Sequence, residues 1–346
     1  MEPYVVIGGG LTGLLAGKSL KNKGLDFIGF EQGETLGGRV EVGHHRFYHE
    51  ESTKLLEKAV GDLNFGWERI SLPAQERKKG EWCKLGDYEF LEEEKFYFPE
   101  GFYVPSQDNL SKVVDSLVSE VGGFFETRSQ ILRLDLEKNH LELEDERIVS
   151  FSKVIWCAGA AELSHCWREM PGNIFGKQKK SASVTSPKGG LNLDMELSSP
   201  LLEPNQTVLF AFRFKDKRLR AIGVGDSPTE SNTQNIHWLL FLDDETAEDR
   251  EEVAKCVRAL KRELRKEFPE MESTVTKERI AYLSVLSGEP PVEVNSLQLH
   301  PNLFYLGPQL RTAETDDSLR NIDLALHNWA FLRGTLGLDQ PGAEAK

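Results

Sequence analysis

Four apolar residues, Tyr4–Ile7, carry no helical period and predict a short buried parallel strand. Residues 11–23 place Leu11, Leu14, Leu15 and Leu20 among small Ala16 and Gly17, the pattern of a helix packed closely on a sheet. The run Phe27–Phe30 predicts a second strand, so the chain opens with a βαβ unit. From residue 49 to about 105 the texture changes. "STKLLEKAV" (52–60) is helix-like, whereas "LEEEKFYFPEGFYVP" (91–105) is a hairpin or extended segment whose acid run is a solvated face. Residues 109–122 carry one apolar stripe, Leu110, Val113, Val114, Leu117, Val118 and Val121, and predict a helix capped by Asp108 and ended by Gly122-Gly123. Strands are predicted over 130–137 and 140–145, and "KVIWCAGA" (153–160) is a buried strand running into a small-residue turn.

Residues 175–295 have a more antiparallel character. "TVLFAFRF" (207–214), "LRAIGVG" (219–225) and "IHWLLFL" (236–242) are strand-like and separated by turns. Residues 245–268 form a long amphipathic helix with Val253, Cys256, Val257, Leu260, Leu264 and Phe268 on one face, stopped by Pro269. "RIAYLSVL" (279–286) is a further strand. "NLFYLG" (302–307) returns to the buried-strand texture, and a last helix over about 318–332 carries Ile322, Ala325, Leu326 and Trp329. No internal repeat and no low-complexity linker separates these regions, so the antiparallel region is expected to be inserted into the first. The division is 1–50, 105–170 and 296–346 for the first domain, and 51–104 and 171–295 for the second.

The 346 residues suffice for one large or two intimately joined domains. Lysine and arginine number 42 against 56 acids, a net charge of −14, which argues against nucleic acid or anionic membrane as the partner. No apolar run approaches the roughly 20 residues needed to span a bilayer. The opening strand precedes the first lysine, Lys18, unlike a signal peptide, and the protein is expected in the cytoplasm. Cys83, Cys157, Cys166 and Cys256 show no CxxC pairing, so no metal site and no redox dithiol is expected; they are reduced, mostly buried filler.

Between the first strand and helix lies Gly8-x-Gly10-x-x-Gly13. Gly8 permits the tight turn, Gly10 lets a pyrophosphate approach the backbone, and Gly13 lets the helix pack near the strand. The pyrophosphate then rests on the helix N-terminus, where free N–H groups and the dipole favour an anion. Glu31, at the end of the second strand, is placed to accept the ribose hydroxyls and disfavours a 2′-phosphate. No second fingerprint follows: "GVGDSP" at Gly223 has Pro228 in the third place, which disfavours a separate NAD(P)H domain.

"LGGRV" (36–40) follows Glu31 closely. With the glycine turn and the acid, it resembles the FAD-dependent amine oxidase, phytoene desaturase and protoporphyrinogen oxidase superfamily. The resemblance extends patchily to 105–122, to "VIWCAGA" and to the C-terminal strand, loop and helix. It implies an α/β fold, a Rossmann-like FAD-binding domain with an inserted mixed or antiparallel-sheet substrate domain. It implies FAD contacts at Gly8, Gly10, Gly13, Glu31, Gly37, Gly38 and Arg39, at the backbone of Ile131 by the adenine, and at Gly307. Two positions depart from the family pattern. Thr35 stands where an arginine is frequent, and Pro308 follows Gly307 where the family has an acid; Asp316 and Asp317 lie in the following loop.

"VGHHRFYHE" (42–50) is similar to the "GGHRFF" stretch of UDP-galactopyranose mutase-like flavoproteins, which lies against the flavin ring. That similarity makes His44 and His45 the catalytic candidates, as proton carriers or as pocket walls. No nucleophile, metal set or carboxylate pair stands out, as expected where a flavin performs the difficult step. The function implied is an FAD-dependent oxidoreductase that takes a hydride from a small organic substrate. The alternatives are a non-redox mutase-like flavoenzyme and a degenerate homologue with a binding role. The aromatics of 80–105 and 207–242 line the pocket or fill the core.

Overall fold

The computed structural model describes residues 2–38, 47, 49–61, 63–72, 74–78, 81–84, 101–105, 110–171, 189–229, 231–242, 246, 249–283, 292–294, 296–307, 310–312 and 321–338. The βαβ start forms as the pattern predicts: β1 (Tyr4–Ile7), α1 (Leu11–Asn22), β2 (Phe27–Phe30). Leu14, Leu15 and Leu20 are fully buried under α1. Gly17 is small because the Phe27 and Phe125 rings fill the space its side chain would take. Next come α2 (Glu50–Val60), β3 (Trp67–Ile70), β4 (Gln75–Lys78), β5 (Glu81–Lys84), β6 (Phe102–Pro105) and α3 (Leu110–Val121). β3 and β6 pair antiparallel. The apolar stripe of α3 is buried as predicted, at Leu110, Val113, Val114, Leu117 and Val121; Asp108, its expected cap, lies outside the described residues.

β7 (Phe125–Glu126) is followed by the meander β8 (Ile131–Asp135), β9 (His140–Leu143) and β10 (Ile148–Ser150), and then by β11 (Lys153–Trp156) and α4 (Ala160–Cys166). The second half contains β12 (Gly189–Leu197), β13 (Thr207–Phe214), β14 (Lys217–Gly225), β15 (Gln234–Leu242), α5 (Arg250–Glu267), α6 (Met271–Thr274) and β16 (Val275–Leu283). The chain returns through β17 (Val292–Glu293), β18 (Gln298–His300), β19 (Leu303–Tyr305), β20 (Leu310–Arg311) and α7 (Asn321–Thr335).

Two large sheets organise these elements. The first has the order β18-β19-β11-β1-β2-β7. β19, β11, β1, β2 and β7 run parallel, and β18 closes the edge antiparallel. Val5, Val6, Val154, Ile155, Trp156 and Tyr305 are almost without solvent contact here. Strands buried on both faces need near-continuous apolar runs, and these have them. Trp329 of α7 fastens the C-terminal helix to α1, donating from Nε1 to the Leu15 carbonyl at 3.2 Å and to Ser19 Oγ at 3.1 Å. The strands that complete this sheet come from beyond residue 297, so the antiparallel region is an insertion.

The second sheet has the order β16-β12-β15-β14-β13-β4-β5 and is antiparallel except for β13 with β4. Its strands alternate, and one set of faces builds a separate core with α5: Leu191, Leu193, Met195, Phe210, Phe212, Trp238 and Leu240 pack with Cys256, Leu260 and Leu264. The aromatics of 207–242 are therefore core residues in the main. Asp249 caps α5, accepting from the backbone N–H groups of Glu251 at 2.8 Å and Glu252 at 3.2 Å. The helix thus starts at residue 250 rather than at the expected 245.

Three differences from the sequence pattern are informative. β12, the second strand of that sheet, is not among the predicted strands, although Leu191-Asn192-Leu193-Asp194-Met195-Glu196-Leu197 alternates strictly, the signature of a half-buried strand. β3, β4 and β5 are also additional; "WERI", "QERK" and "EWCK" are too polar to show a strand period. Third, α2 and Phe65 pack in the first core through Leu56, Ala59 and Val60, so residues 51–65 lie with the parallel sheet rather than with the antiparallel one. Among the described residues no helix is long and apolar enough to cross a membrane.

Candidate functional site

The glycine turn lies at the C-terminal edge of the parallel sheet. Gly8 has φ +98°, a conformation that disfavours any side chain, and its N–H donates to the Phe30 carbonyl at 2.8 Å. Gly13 is required sterically, because a Cβ there would stand 1.8 Å from the Gly8 carbonyl oxygen. Gly10 differs from both. It is extended, with φ −73° and ψ −178°, and begins α1 as its N-cap. Nothing lies within 4 Å of the point a Gly10 Cβ would occupy. The α1 N-terminus, with its unsatisfied N–H groups, therefore faces open space on the side of Gly10.

Glu31 holds the loop beside this turn. Its Oε2 accepts the Gly9 N–H at 2.6 Å, and its Oε1 accepts the Gly33 N–H at 2.7 Å. Both are charge-assisted contacts to backbone. Gly37 folds back on the turn, donating to the Gly9 carbonyl at 2.8 Å and bridging Gly10. Gly37 has φ +107° and Gly38 φ +58°. A Cβ on Gly38 would come within 3.1 Å of Gly10 Cα, so this second glycine pair presses on the first motif. Thr35 is exposed in the loop between.

Gly307 closes the same edge from the C-terminal side. Leu306 donates to the Trp156 carbonyl at 2.7 Å. A Gly307 Cβ would stand 2.1 Å from Tyr305 Oη and 2.5 Å from the Ala158 carbonyl, while a Gly8 Cβ would meet the Ala158 nitrogen at 3.2 Å. Gly8 and Gly307 thus flank the Cys157–Ala158 backbone from two sides. Burial pushes the Cys157 thiol well above its ordinary range, so it stays neutral there. Ile131 lies on the meander. It is buried, and its carbonyl accepts from Cys166 Sγ at 3.1 Å, which ties β8 to the helix after β11. The Cys166 thiol is pushed up to about 11 by burial and then by Glu162.

The structure therefore brings Gly8, Gly10, Gly13, Glu31, Gly37, Gly38 and Gly307 to one sheet edge. Arg39, His44, His45, Pro308, Asp316 and Asp317 lie outside the described residues. The C-terminal end of the histidine stretch is anchored. Phe47 and Tyr103 exchange backbone hydrogen bonds at 3.2 and 2.6 Å, and the His49 N–H donates to Asp323 Oδ1 at 3.4 Å. Asp323, fully buried in the first turn of α7, has no counterpart among the sequence candidates. Its signal was one acid within the otherwise apolar "NIDLAL". Among the described residues no group of three or more histidine, cysteine or acidic side chains is placed to hold a metal ion.

A parallel sheet with a glycine turn opening a helix, an acid after the second strand and an inserted antiparallel sheet define a dinucleotide-binding protein fold with a second domain. Comparisons agree. Residues 6–52 match the NAD(P)-binding Rossmann-like domain. No curated protein matches the sequence. Among solved structures, the chain is similar to reduced UDP-galactopyranose mutase, with TM-score 0.62, 10% identity and coverage of 98% of this chain and 96% of that one. It is similar to an oxidoreductase from Methanosarcina mazei, with TM-score 0.61, 13% identity and coverage of 96% and 100%. Putrescine oxidase bound to putrescine gives TM-score 0.59, 10% identity and coverage of 97% and 98%. The chain therefore shares its overall fold with these three proteins, and its residues 6–52 carry the Rossmann-like nucleotide-binding unit.

Proposed function

We propose that this protein is an FAD-dependent oxidoreductase that takes a hydride from a small organic substrate. The observation carrying this reading is the open side of Gly10 at the start of α1, framed by the closed Gly8, Gly13 and Gly38 and by Glu31. The pyrophosphate of the dinucleotide rests on the α1 N-terminus. Glu31 takes the adenosine ribose with the lone pairs its two backbone contacts leave over. Arg39 neutralises the phosphates, Gly37, Gly38 and Gly307 permit close approach, and Ile131 offers backbone to the adenine. When bound, FAD supplies the hydride acceptor. His44 and His45 wall the flavin side, where an imidazole holds or moves a proton near neutral pH. The substrate lies between the nucleotide domain and the antiparallel sheet, where ligands favour domain interfaces. The similarity to putrescine oxidase and to an oxidoreductase supports this reading over a nucleotide-binding role alone.

The test is the visible spectrum of the purified protein, followed by release and identification of its cofactor. A flavin spectrum with FAD released is expected. A colourless protein that also fails to bind added FAD would overturn the reading and favour a degenerate homologue, to which Pro308 after Gly307 points. A second reading, a non-redox flavoenzyme, is favoured by the similarity to UDP-galactopyranose mutase over nearly the whole chain. Anaerobic mixing separates the two. Bleaching by amines or dihydronicotinamides supports the oxidoreductase, whereas turnover of a nucleotide sugar without net flavin reduction supports the mutase.

A further inference from the structure

The second sheet carries a histidine held on both ring nitrogens. His237 on β15 stands directly opposite Asp194 on β12. Its Nδ1 lies 2.6 Å from Asp194 Oδ1, and its Nε2 lies 3.1 Å from Asp226 Oδ2, just past the end of β14. Asn192 Nδ2 donates to the same Asp194 oxygen at 2.6 Å. An ionised carboxylate only accepts, and a neutral imidazole has one N–H, so both contacts are hydrogen bonds only when the ring carries its second proton. The set lies on the face away from α5. That face is not open water: Asn192 is 2% exposed, and Leu209 and Ile222, in the adjoining cross-strand row, are 1% and 7% exposed.

We infer that Asp194, His237 and Asp226 form a proton-dependent clamp that locks β12, β15 and the turn after β14, and that loss of the ring proton releases this turn. The turn's further ties do not involve the ring: Asn205 Nδ2 donates to Ser227 Oγ at 3.1 Å, and the Thr229 N–H donates to the Thr233 carbonyl at 2.8 Å. Asp226 donates its N–H to the Asn235 carbonyl at 2.8 Å, and its own carbonyl accepts from Gln234 Nε2 at 2.9 Å. Opposite His237 on β14 stands uncharged Val224. From β16, exposed Arg279 faces Asp194, and one row along Lys277 faces Glu196 of β12. Two carboxylates thus face the ring's single positive charge, and Arg279, the cross-strand neighbour of Asp194, is exposed. Burial alone lowers the proton affinity of His237, but Asp194 and Asp226 outweigh it and raise its pKa from 6.5 to about 9. A histidine with a raised folded-state pKa contributes stability that is full below the unfolded value and is lost as pH rises through the folded one. The window is therefore pH 6.5 to about 9, with the clamp closed on the acid side.

The experiment is a titration of the histidine ring signals of the full-length protein, combined with amide exchange followed from pH 7 to 10. His237 is expected to be charged at pH 7 and to titrate near 9. After correction for base catalysis, exchange at residues 226–238 should accelerate on the order of tenfold to hundredfold across that range, while β1 and β11 keep their protection. The H237Q variant should lose this pH dependence. A ring titrating near its ordinary value, or an H237Q protein with the wild-type profile, would overturn the clamp. Should the variant fail to fold, the wild-type ring titration decides alone. None of these readouts depends on the cofactor.

Discussion

The two sheets use glycine for opposite purposes. At the edge of the parallel sheet, Gly8 and Gly38 supply backbone conformations that other residues avoid, and Gly10 leaves space empty. In the antiparallel sheet, Gly223 leaves space that is filled: it pairs with Trp238, and a Cβ there would stand 2.5 Å from the indole. The glycines of "GVGDSP" thus answer a packing need, in keeping with their failure as a second nucleotide fingerprint. Charge divides the sheets in the same way. In the first, Glu31 binds backbone N–H groups beside an open edge, whereas in the second Asp194 and Asp226 bind a side chain within the sheet. One sheet keeps an unfinished surface, and the other closes on itself.

The largest expected effect tests the independence of the two cores. Trp238 is fully buried and meets Phe210 edge-on at 6.3 Å. Trp238→Ala should cost about 3–5 kcal/mol by cavity formation. Denaturant unfolding followed by amide exchange should place the loss in β12–β16. A uniform loss across β1, β2 and β11 would show that the two cores unfold as one. Gly13→Ala comes next and strikes the other sheet. Its methyl has only the Gly8 backbone to displace, so a loss of about 3 kcal/mol is expected, together with loss of bound dinucleotide. Protection should fall in α1 and β1 and persist in β15.

These two residues also mark what the sequence made legible. Gly13 was legible because the spacing of a glycine turn is a local requirement, fixed within six residues between a strand and a helix. The βαβ unit, α3, α5 and the return of β19 to the first sheet were legible for a related reason, since each carries its own apolar period. The partners of β12 are 37 to 93 residues away, and β4 joins its sheet through a polar strand. Such pairings are settled by long-range packing, which no local window contains. The same holds at the sites. Gly8, Gly10 and Glu31 meet across one turn, so their motif announces them. Asp323 and His49 are separated by 274 positions, and Asp194 and His237 by 43. Asp323, Asp194 and His237 carry no motif, His49 lies at the end of the histidine stretch, and only folding brings each pair together.

Glu31 gives an intermediate effect. Glu31→Ala leaves the N–H groups of Gly9 and Gly33 without their carboxylate. A loss of about 2 kcal/mol is expected from the thermal transition. Dinucleotide affinity should fall as well, because the 31–38 loop is no longer held to the turn. An unchanged transition temperature would mean that water replaces the carboxylate at no cost, and that the loop needs no anchor.

The smallest expected change in stability is the sharpest test of the open edge. Gly10→Ala places its methyl where no atom lies within 4 Å, at backbone angles that alanine adopts without strain. Two small effects oppose each other. Restricting the unfolded chain stabilises by about 0.4–1 kcal/mol. Alanine is a poorer N-cap than glycine, which costs a comparable amount. Stability should therefore stay within about 0.5 kcal/mol of the parent, in contrast to Gly13→Ala three residues away. Binding should not be spared. On the proposed function the methyl takes the place of the pyrophosphate, so FAD affinity measured by fluorescence quenching should fall at least about tenfold, or 1.4 kcal/mol. A folded Gly10→Ala protein that binds FAD as the parent does would show that the open side of Gly10 faces solvent rather than a ligand.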